Sequence, residues 1–517
     1  MSHNRLAACH GCPTRKQCGV LSRRKFLAAV AGAASSAPLA ASTLHAPAVA
    51  GHCQEPVDLP LRLQPVLSYE IPKRREQTSY RQWGGLQTVE DLADEQERIG
   101  RELASLTGLV GTRVDMLPLA AVRSAEEAAS VARGRHDATI IYGAGGSVRI
   151  LEALTDVHKS TILFLRHRSG PTYLWYEIAH PRYLRKTVDQ PGQGSMSWRD
   201  VVVDSQPQLA MRLRALHGLH NTLGKRVVAV GGASGWGAGG RSAPEVAARD
   251  WKLDIRTVSY EDLGSRIAAA RADGARVRRC AAQARDYLRQ PGVTLETAPE
   301  FLDKAFLLAD IFHDLLDEAQ TDAITINQCM GTIMKISETT ACMPLSLLND
   351  AGYMAFCESD FVVIQSGILA RYISRQPMFF NDPTTPHDGV VTLAHCTAQR
   401  KMDGKTPEAV RILTHFESDY GAAPKVEMRK GQRVTNLIPD FANKQWTGFE
   451  GEIVDAPFLP ICRSQIDVSI EGSTEELLDK MKGFHWMTVY GSHLAEAQYA
   501  LSKLGIGLST LRPPALS

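Results

Sequence analysis

Gly352-Tyr353-Met354-Ala355-Phe356-Cys357 is a short apolar run that stops at Glu358-Ser359-Asp360, and Pro377-Met378-Phe379-Phe380 is another that stops at Asn381-Asp382. Each run has the length and composition of a buried strand, and the segment between them, from Phe361 to Ser374, is patterned as a helix. Strand, helix and strand in that order make a βαβ unit. Such crossovers join parallel strands, so Glu358 and Asp382 are expected to leave one sheet at the same edge, where α/β folds hold their ligands. A third run, Gly389 to Ala394, ends at His395-Cys396, and laid beside the first two it adds an imidazole to the two carboxylates. Two carboxylates and a histidine suit a borderline-hard divalent ion, Mn²⁺ before all, with Mg²⁺, Co²⁺ and Fe²⁺ as competitors. An acid at a strand end also has a plainer role, and Glu358 or Asp360 could simply cap the helix that follows. Three successive strands ending in Glu, Asp and His favour the site.

Outward from this unit the same pattern repeats. Ala138 to Tyr142 and Ser160 to Leu165 are apolar strands among helical segments, and Lys225 to Gly232 opens a second series. Beyond Ala394 the helical signal weakens, and runs such as Arg411 to Phe416 read as antiparallel strands. The expected class is α/β: a doubly wound, Rossmann-like parallel-sheet domain at 57–223, a second at 224–375, and a β-rich C-terminal domain at 376–517. Residues 57–88, rich in Pro, Arg and Gln, read as an extended arm ahead of a charged helix from Val89 to Leu106; Arg266 to Arg289 reads as one helix. The loop Gly235-Trp236-Gly237-Ala238-Gly239-Gly240 is formally a GxGxxG, but the next strand, Leu253 to Val258, has no acid at its end, so the glycines read as a tight βα turn and no nucleotide is expected.

With 58 Lys plus Arg against 56 Asp plus Glu in 517 residues, the net charge of +2 offers no basic field for nucleic acid. A small molecule is the expected partner. At the N-terminus, Ser22-Arg23-Arg24-Lys25-Phe26-Leu27 and the small, apolar stretch Ala28 to Ala50 match a twin-arginine export signal over residues 1–50. Pro38 and Pro47 interrupt that stretch, unlike a spanning helix, so the mature protein is expected outside the cytoplasm and free of the membrane. Cys9, Cys12 and Cys18 fall in the leader. The other cysteines, Cys53, Cys280, Cys329, Cys342, Cys357, Cys396 and Cys462, lie mostly in apolar runs and read as buried thiols more than as a disulfide framework.

Leu348-Asn349-Asp350-Ala351-Gly352, Cys357-Glu358-Ser359-Asp360, Asn381-Asp382 and Ala394-His395-Cys396 together resemble the L-fucose isomerase family of aldose–ketose isomerases. The 24 positions from Glu358 to Asp382 match the spacing of that family's metal-binding Glu and Asp, and Phe484-His485-Trp486-Met487-Thr488-Val489-Tyr490-Gly491 resembles the segment carrying its metal-binding His. The resemblance covers roughly residues 224 to 510. It implies Glu358, Asp382 and His485 as metal ligands, with Glu358 and Asp382 also serving as base and acid. The strand pattern by itself selects His395 as third ligand; the resemblance moves His395 to a substrate contact, beside Gln328. A glutamine in Gln328's position can equally hold a βα loop. The resemblance also implies a symmetric homo-oligomer and a sugar isomerised through a cis-enediolate whose charge the ion stabilises. Two other readings use the same residues: an exported metal- or sugar-binding protein without turnover, and an epimerase or lyase with the same intermediate.

Overall fold

Along Ala138–Gly143 and Ser160–Leu165 every second residue turns to a different core: Ile140, Tyr142, Ile162 and Phe164 pack on one face, while Ile141, Leu163 and Leu165 pack on the other. A strand apolar on both faces must be covered on both, and helix Val89–Val110 lies on the first side, helices Ala125–Ala132 and Val148–Leu154 on the second. The fold is seen in a computed structural model that describes residues 58–78, 84–155, 159–184 and 196–511. The expected leader with Arg23 and Arg24, Cys9, Cys12 and Cys18, together with Cys53, lies outside the described residues. Among the described residues no helix is long and apolar enough to cross a membrane.

Leu61–Ser68 runs through the middle of the first sheet, parallel to Ala138–Gly143 on one side and to Val114–Met116 and Ala120–Val122 on the other. The expected extended arm is therefore corrected to a central strand. Pro65 misleads, because proline lacks the N–H a ladder requires. Here the rungs to Val114–Met116 end at Leu63 and those to Ala120–Val122 begin at Val66, so Pro65 falls in the gap, and its carbonyl accepts from Gln64 Nε2 instead.

The second sheet orders its parallel strands Met354–Phe356, Ala323–Ile326, Arg226–Val230 and Asp254–Val258, a Rossmann-like arrangement. The helix expected from Arg266 to Arg289 is two, Tyr260–Ala272 and Gly274–Leu288, because the Asp273 carboxylate accepts from the N–H groups of Ala275 and Arg276 and starts a new helix.

The larger correction concerns Met378–Pro383. It does not pair beside Met354–Phe356; it is antiparallel to Trp486–Tyr490 and Val390–His395 in the C-terminal sheet. That sheet runs Arg433–Ile438, Trp486–Tyr490, Met378–Pro383, Val390–His395, Ser464–Ser469 and Gln445–Asp455, and Arg433–Ile438 pairs again with Gln445–Asp455, so the strands close into a barrel-like ring. Helix Ile364–Ser374, expected as a crossover within one sheet, instead links the parallel sheet to the ring. Of its 11 residues only Ser374 is not fully buried, as such a bridging position requires. Gly218 of helix Gln206–Thr222 lets that helix approach it closely: a Cβ there would lie 2.6 Å from Ile373 Cγ1.

Candidate metal centre

Three local features bring the site together. Glu358 lies just past the carboxyl end of Met354–Phe356, the edge where parallel sheets present ligand-binding groups. The barrel supplies the rest through register. Asn381 pairs with Trp486 and Asp382 with Ala394, which sets Asp382 opposite His485 and beside the end of the strand carrying His395. Glu358 and Asp382 thus converge from two different sheets, not from one edge.

The turn joining Glu358 to Asp360 is strained, with Glu358 at φ 60° and Ser359 at φ 47°, a region that residues with a Cβ seldom enter. It is pinned by Ser359, whose carbonyl accepts from Ser234 N–H, and by Phe361, whose N–H donates to the Ser234 carbonyl. Through this turn Glu358 and Asp360 both reach His485. Asp360 Oδ2 stands 2.7 Å from His485 Nδ1; Glu358 Oε2 and Asp382 Oδ1 stand 3.5 Å and 3.1 Å from Nε2. Asp360 is fully buried and also caps the following turn by accepting from Val362 N–H at 3.1 Å, so the plainer role and the site role coexist.

With Nδ1 held by Asp360, His485 turns Nε2 toward Glu358 and Asp382, the orientation a metal-ligating histidine requires once an incoming ion takes the place of the Nε2 proton. Both Nε2 of His485 and Oδ1 of Asp382 are buried without a hydrogen-bond partner among the described residues. Buried polar atoms are seldom left so. His395 joins them: its ligand atom and those of Glu358 and His485 all lie within 4.8 Å of one another, while its Nδ1 is 2.8 Å from Thr397 Oγ1. Phe380 packs against both imidazoles, at 4.8 Å from His395 and 4.3 Å from His485.

Burial sets the protonation of this cluster against its own charges. Burial alone would push His485 down, but the carboxylates of Asp360, Glu358 and Asp382 raise it to about 9. Asp382 is pushed up to about 7 by burial, against the pull of His485 and with the Glu358 charge adding to the rise. Burial also lifts Glu358, yet His485, His395 and Trp236 hold it below its ordinary value. His395, buried and facing His485, is pushed down to about 3 and is a neutral imidazole. Three carboxylates therefore share one imidazolium at most, and none forms an ion pair with a lysine or arginine among the described residues. The group carries a net negative charge that a dication would neutralise, and Glu358, His395 and His485 offer ligand atoms close enough together to hold one, with Asp382 Oδ1 3.1 Å from His485 Nε2.

Of the residues picked out in the sequence, Glu358, Asp382, His395 and His485 come together. Gln328 is not among the groups that close on them. It ends Ala323–Ile326's loop in the left-handed conformation, φ 50°, exposed, with its N–H donating to Asn327 Oδ1; its neighbour Cys329 is the residue that approaches Cys357 and Glu358. Sequence reading missed Asp360's hold on His485, and it missed Trp236, whose Nε1–H donates to Glu358 Oε2 and whose ring stacks on Phe484 at 4.2 Å. A tryptophan set among the glycines of a loop was the available signal. Gly235 and Gly240 serve close packing: a Cβ on Gly235 would lie 2.2 Å from the Gly240 carbonyl oxygen.

No protein-family model matches the chain, and no curated protein matches it.

Proposed function

We propose that the chain is a metal-dependent aldose–ketose isomerase related to the L-fucose isomerase family, exported by the twin-arginine route as a homo-oligomer. Mn²⁺ is the preferred ion, with Mg²⁺, Co²⁺ or Fe²⁺ able to replace it. The three-part division at residues 223 and 375 belongs to the same proposal. One observation carries it: the buried atoms Nε2 of His485 and Oδ1 of Asp382, 3.1 Å apart beside Glu358, have no hydrogen-bond partner among the described residues.

When bound, a dication acts there as a Lewis acid on adjacent oxygens of an open-chain sugar. Glu358 and Asp382 line the same space and carry the proton between C1 and C2. His485 is held in place by Asp360. His395, neutral and fixed through Thr397, contacts a sugar hydroxyl. The exposed Trp236 and Phe484 rings form an apolar shelf next to Glu358, suited to the C–H face of a sugar.

The test is exchange in deuterated water. Protein loaded with Mn²⁺ and offered a panel of aldoses should place solvent deuterium on the α-carbon and release ketose, and Glu358→Gln should lose both the ion and the exchange. Bound metal with no exchange for any aldose would overturn the isomerase reading in favour of a passive binder; exchange without ketose would replace it by an epimerase or lyase.

A further inference from the structure

A second cluster of ligating side chains lies on the other side of Asp382. Cys396 follows strand Val390–His395, and Cys462 precedes strand Ser464–Ser469. Those strands are paired with His395 opposite Ser464, so the two thiols leave neighbouring strands at one rim. His415 ends Val410–His415, and Cys342 is the first residue of helix Cys342–Asp350. The ligand atoms of Cys342, Cys396 and His415 all lie within 4.8 Å of one another, and the Cys396 thiol is within hydrogen-bonding reach of both Cys342 and Cys462. Cys342, Cys396 and His415 are 6%, 2% and 6% exposed, Ala423 packs against the thiols, and none of the three cysteines is in a disulfide.

We propose that Cys342, Cys396, Cys462 and His415 form a thiolate-and-imidazole site that takes Zn²⁺. Three cysteines and a histidine are a complete tetrahedral donor set for zinc. Metal–sulfur bonds of about 2.3 Å put the sulfurs of such a set about 3.8 Å apart. The ligand atoms of Cys342, Cys396 and His415, within 4.8 Å of one another, therefore need to close by no more than about 1 Å, and Cys462, in reach of Cys396, turns in as the fourth donor. Soft thiolates separate this site from the oxygen-rich one at Glu358 and Asp382, which favours harder ions. The two nevertheless share a wall, for Cys462 Sγ lies 4.0 Å from Asp382 Oδ2. Zinc here ties the first turn of helix Cys342–Asp350 to the rim strands that position Asp382 and His395. It is a structural clamp beside a catalytic centre. It also keeps three adjacent thiols from pairing as disulfides in an oxidising compartment.

The proposal is tested with Co²⁺ in place of zinc, on the full chain purified under reducing conditions. Cobalt held by thiolates in a tetrahedron gives an intense sulfur-to-metal charge-transfer band and strong visible d–d absorption; cobalt held by carboxylates and imidazole gives no such band. The wild-type protein should develop the band at one equivalent per chain. Glu358→Gln should keep it, and so should Cys357→Ala, which removes the Cys329–Cys357 thiol pair from consideration. Cys396→Ser and His415→Gln should lose it. Absence of the band in the wild-type protein overturns the proposal without any variant having to fold, as does a disulfide between two of Cys342, Cys396 and Cys462 in the reduced preparation, or a band that survives in Cys396→Ser. Because Glu358→Gln empties only the first site, failure here leaves the isomerase reading standing, and failure of that reading leaves this one standing.

Discussion

Arg166 in the first sheet and His485 at the barrel rim each gather buried carboxylates, and the two gatherings balance differently. Arg166 donates through Nε to Glu95 at 2.5 Å and through Nη1 and Nη2 to Glu102 at 2.9 and 2.8 Å, while Arg98 Nε holds the other oxygen of Glu95 at 3.0 Å. Two guanidiniums meet two carboxylates, and Tyr173 OH donates to Glu95 as well. Every charge has a partner of opposite sign, and Arg166 grips Glu102 with both prongs of its fork. Around His485, three carboxylates face one imidazole, and two buried atoms of the group have no hydrogen-bond partner among the described residues. The first cluster is a finished structural ion pair. The second is short of positive charge, and that shortage, more than the mere presence of acidic residues, marks it as a place for a cation.

The contrast can be broken by removing one charge from each. Arg166→Met leaves Glu95 and Glu102 facing a buried apolar chain and should destabilise the protein by about 3–5 kcal/mol, read as a lower midpoint of denaturant unfolding. Asp382→Asn, in metal-free protein, removes a carboxylate from a group that already repels itself and should leave that midpoint unchanged or raise it. If Asp382→Asn destabilises the metal-free protein as Arg166→Met does, the two clusters are of one kind and the cation argument fails. Metal sharpens the difference: Mn²⁺ at about 100 times its dissociation constant should stabilise the wild-type protein by about 2.7 kcal/mol and leave Asp382→Asn unaffected. Next in size is Asp360→Asn. It keeps an acceptor for the Val362 N–H but weakens the hold on His485, and should lower Mn²⁺ affinity about 10- to 100-fold in a calorimetric titration.

The same contrast shows what local sequence can reveal. The strands Ala138–Gly143, Ser160–Leu165 and Arg226–Val230 were legible because a strand buried on both faces is apolar throughout. Leu61–Ser68 was not, since Pro65 argues against a central strand and only the gap between two neighbouring strands explains it. Met378–Pro383 looks locally like the return strand of a βαβ unit. Which sheet it joins is fixed by pairing with Trp486–Tyr490, more than 100 residues later, and no short-range pattern carries that information. Glu358 and Asp382 were picked out by their strand-end positions and spacing, although the geometry that joins them is a sheet edge meeting a barrel rim. The contact between Asp360 and His485, 125 residues apart, had no local signature.

Trp236 provides the finest test, because it joins the charged group to the exposed shelf. Its Nε1–H is a hydrogen-bond donor to Glu358, and its ring lies at 4.2 Å and 9° on Phe484. These two roles separate by substitution. Trp236→Phe keeps an aromatic face and loses the donor, so it should weaken metal binding by about 0.5–1.5 kcal/mol, the net worth of one hydrogen bond, with little change in KM at saturating metal. Trp236→Ala removes the face too, and should add a rise in KM of about 5-fold, roughly 1 kcal/mol of stacking. If KM is unmoved in Trp236→Ala while metal affinity falls as in Trp236→Phe, the tryptophan only orients Glu358 and the shelf does not touch substrate. A KM that rises in Trp236→Ala alone places the sugar over Trp236 and Phe484, on the solvent side of the unpartnered atoms of Asp382 and His485.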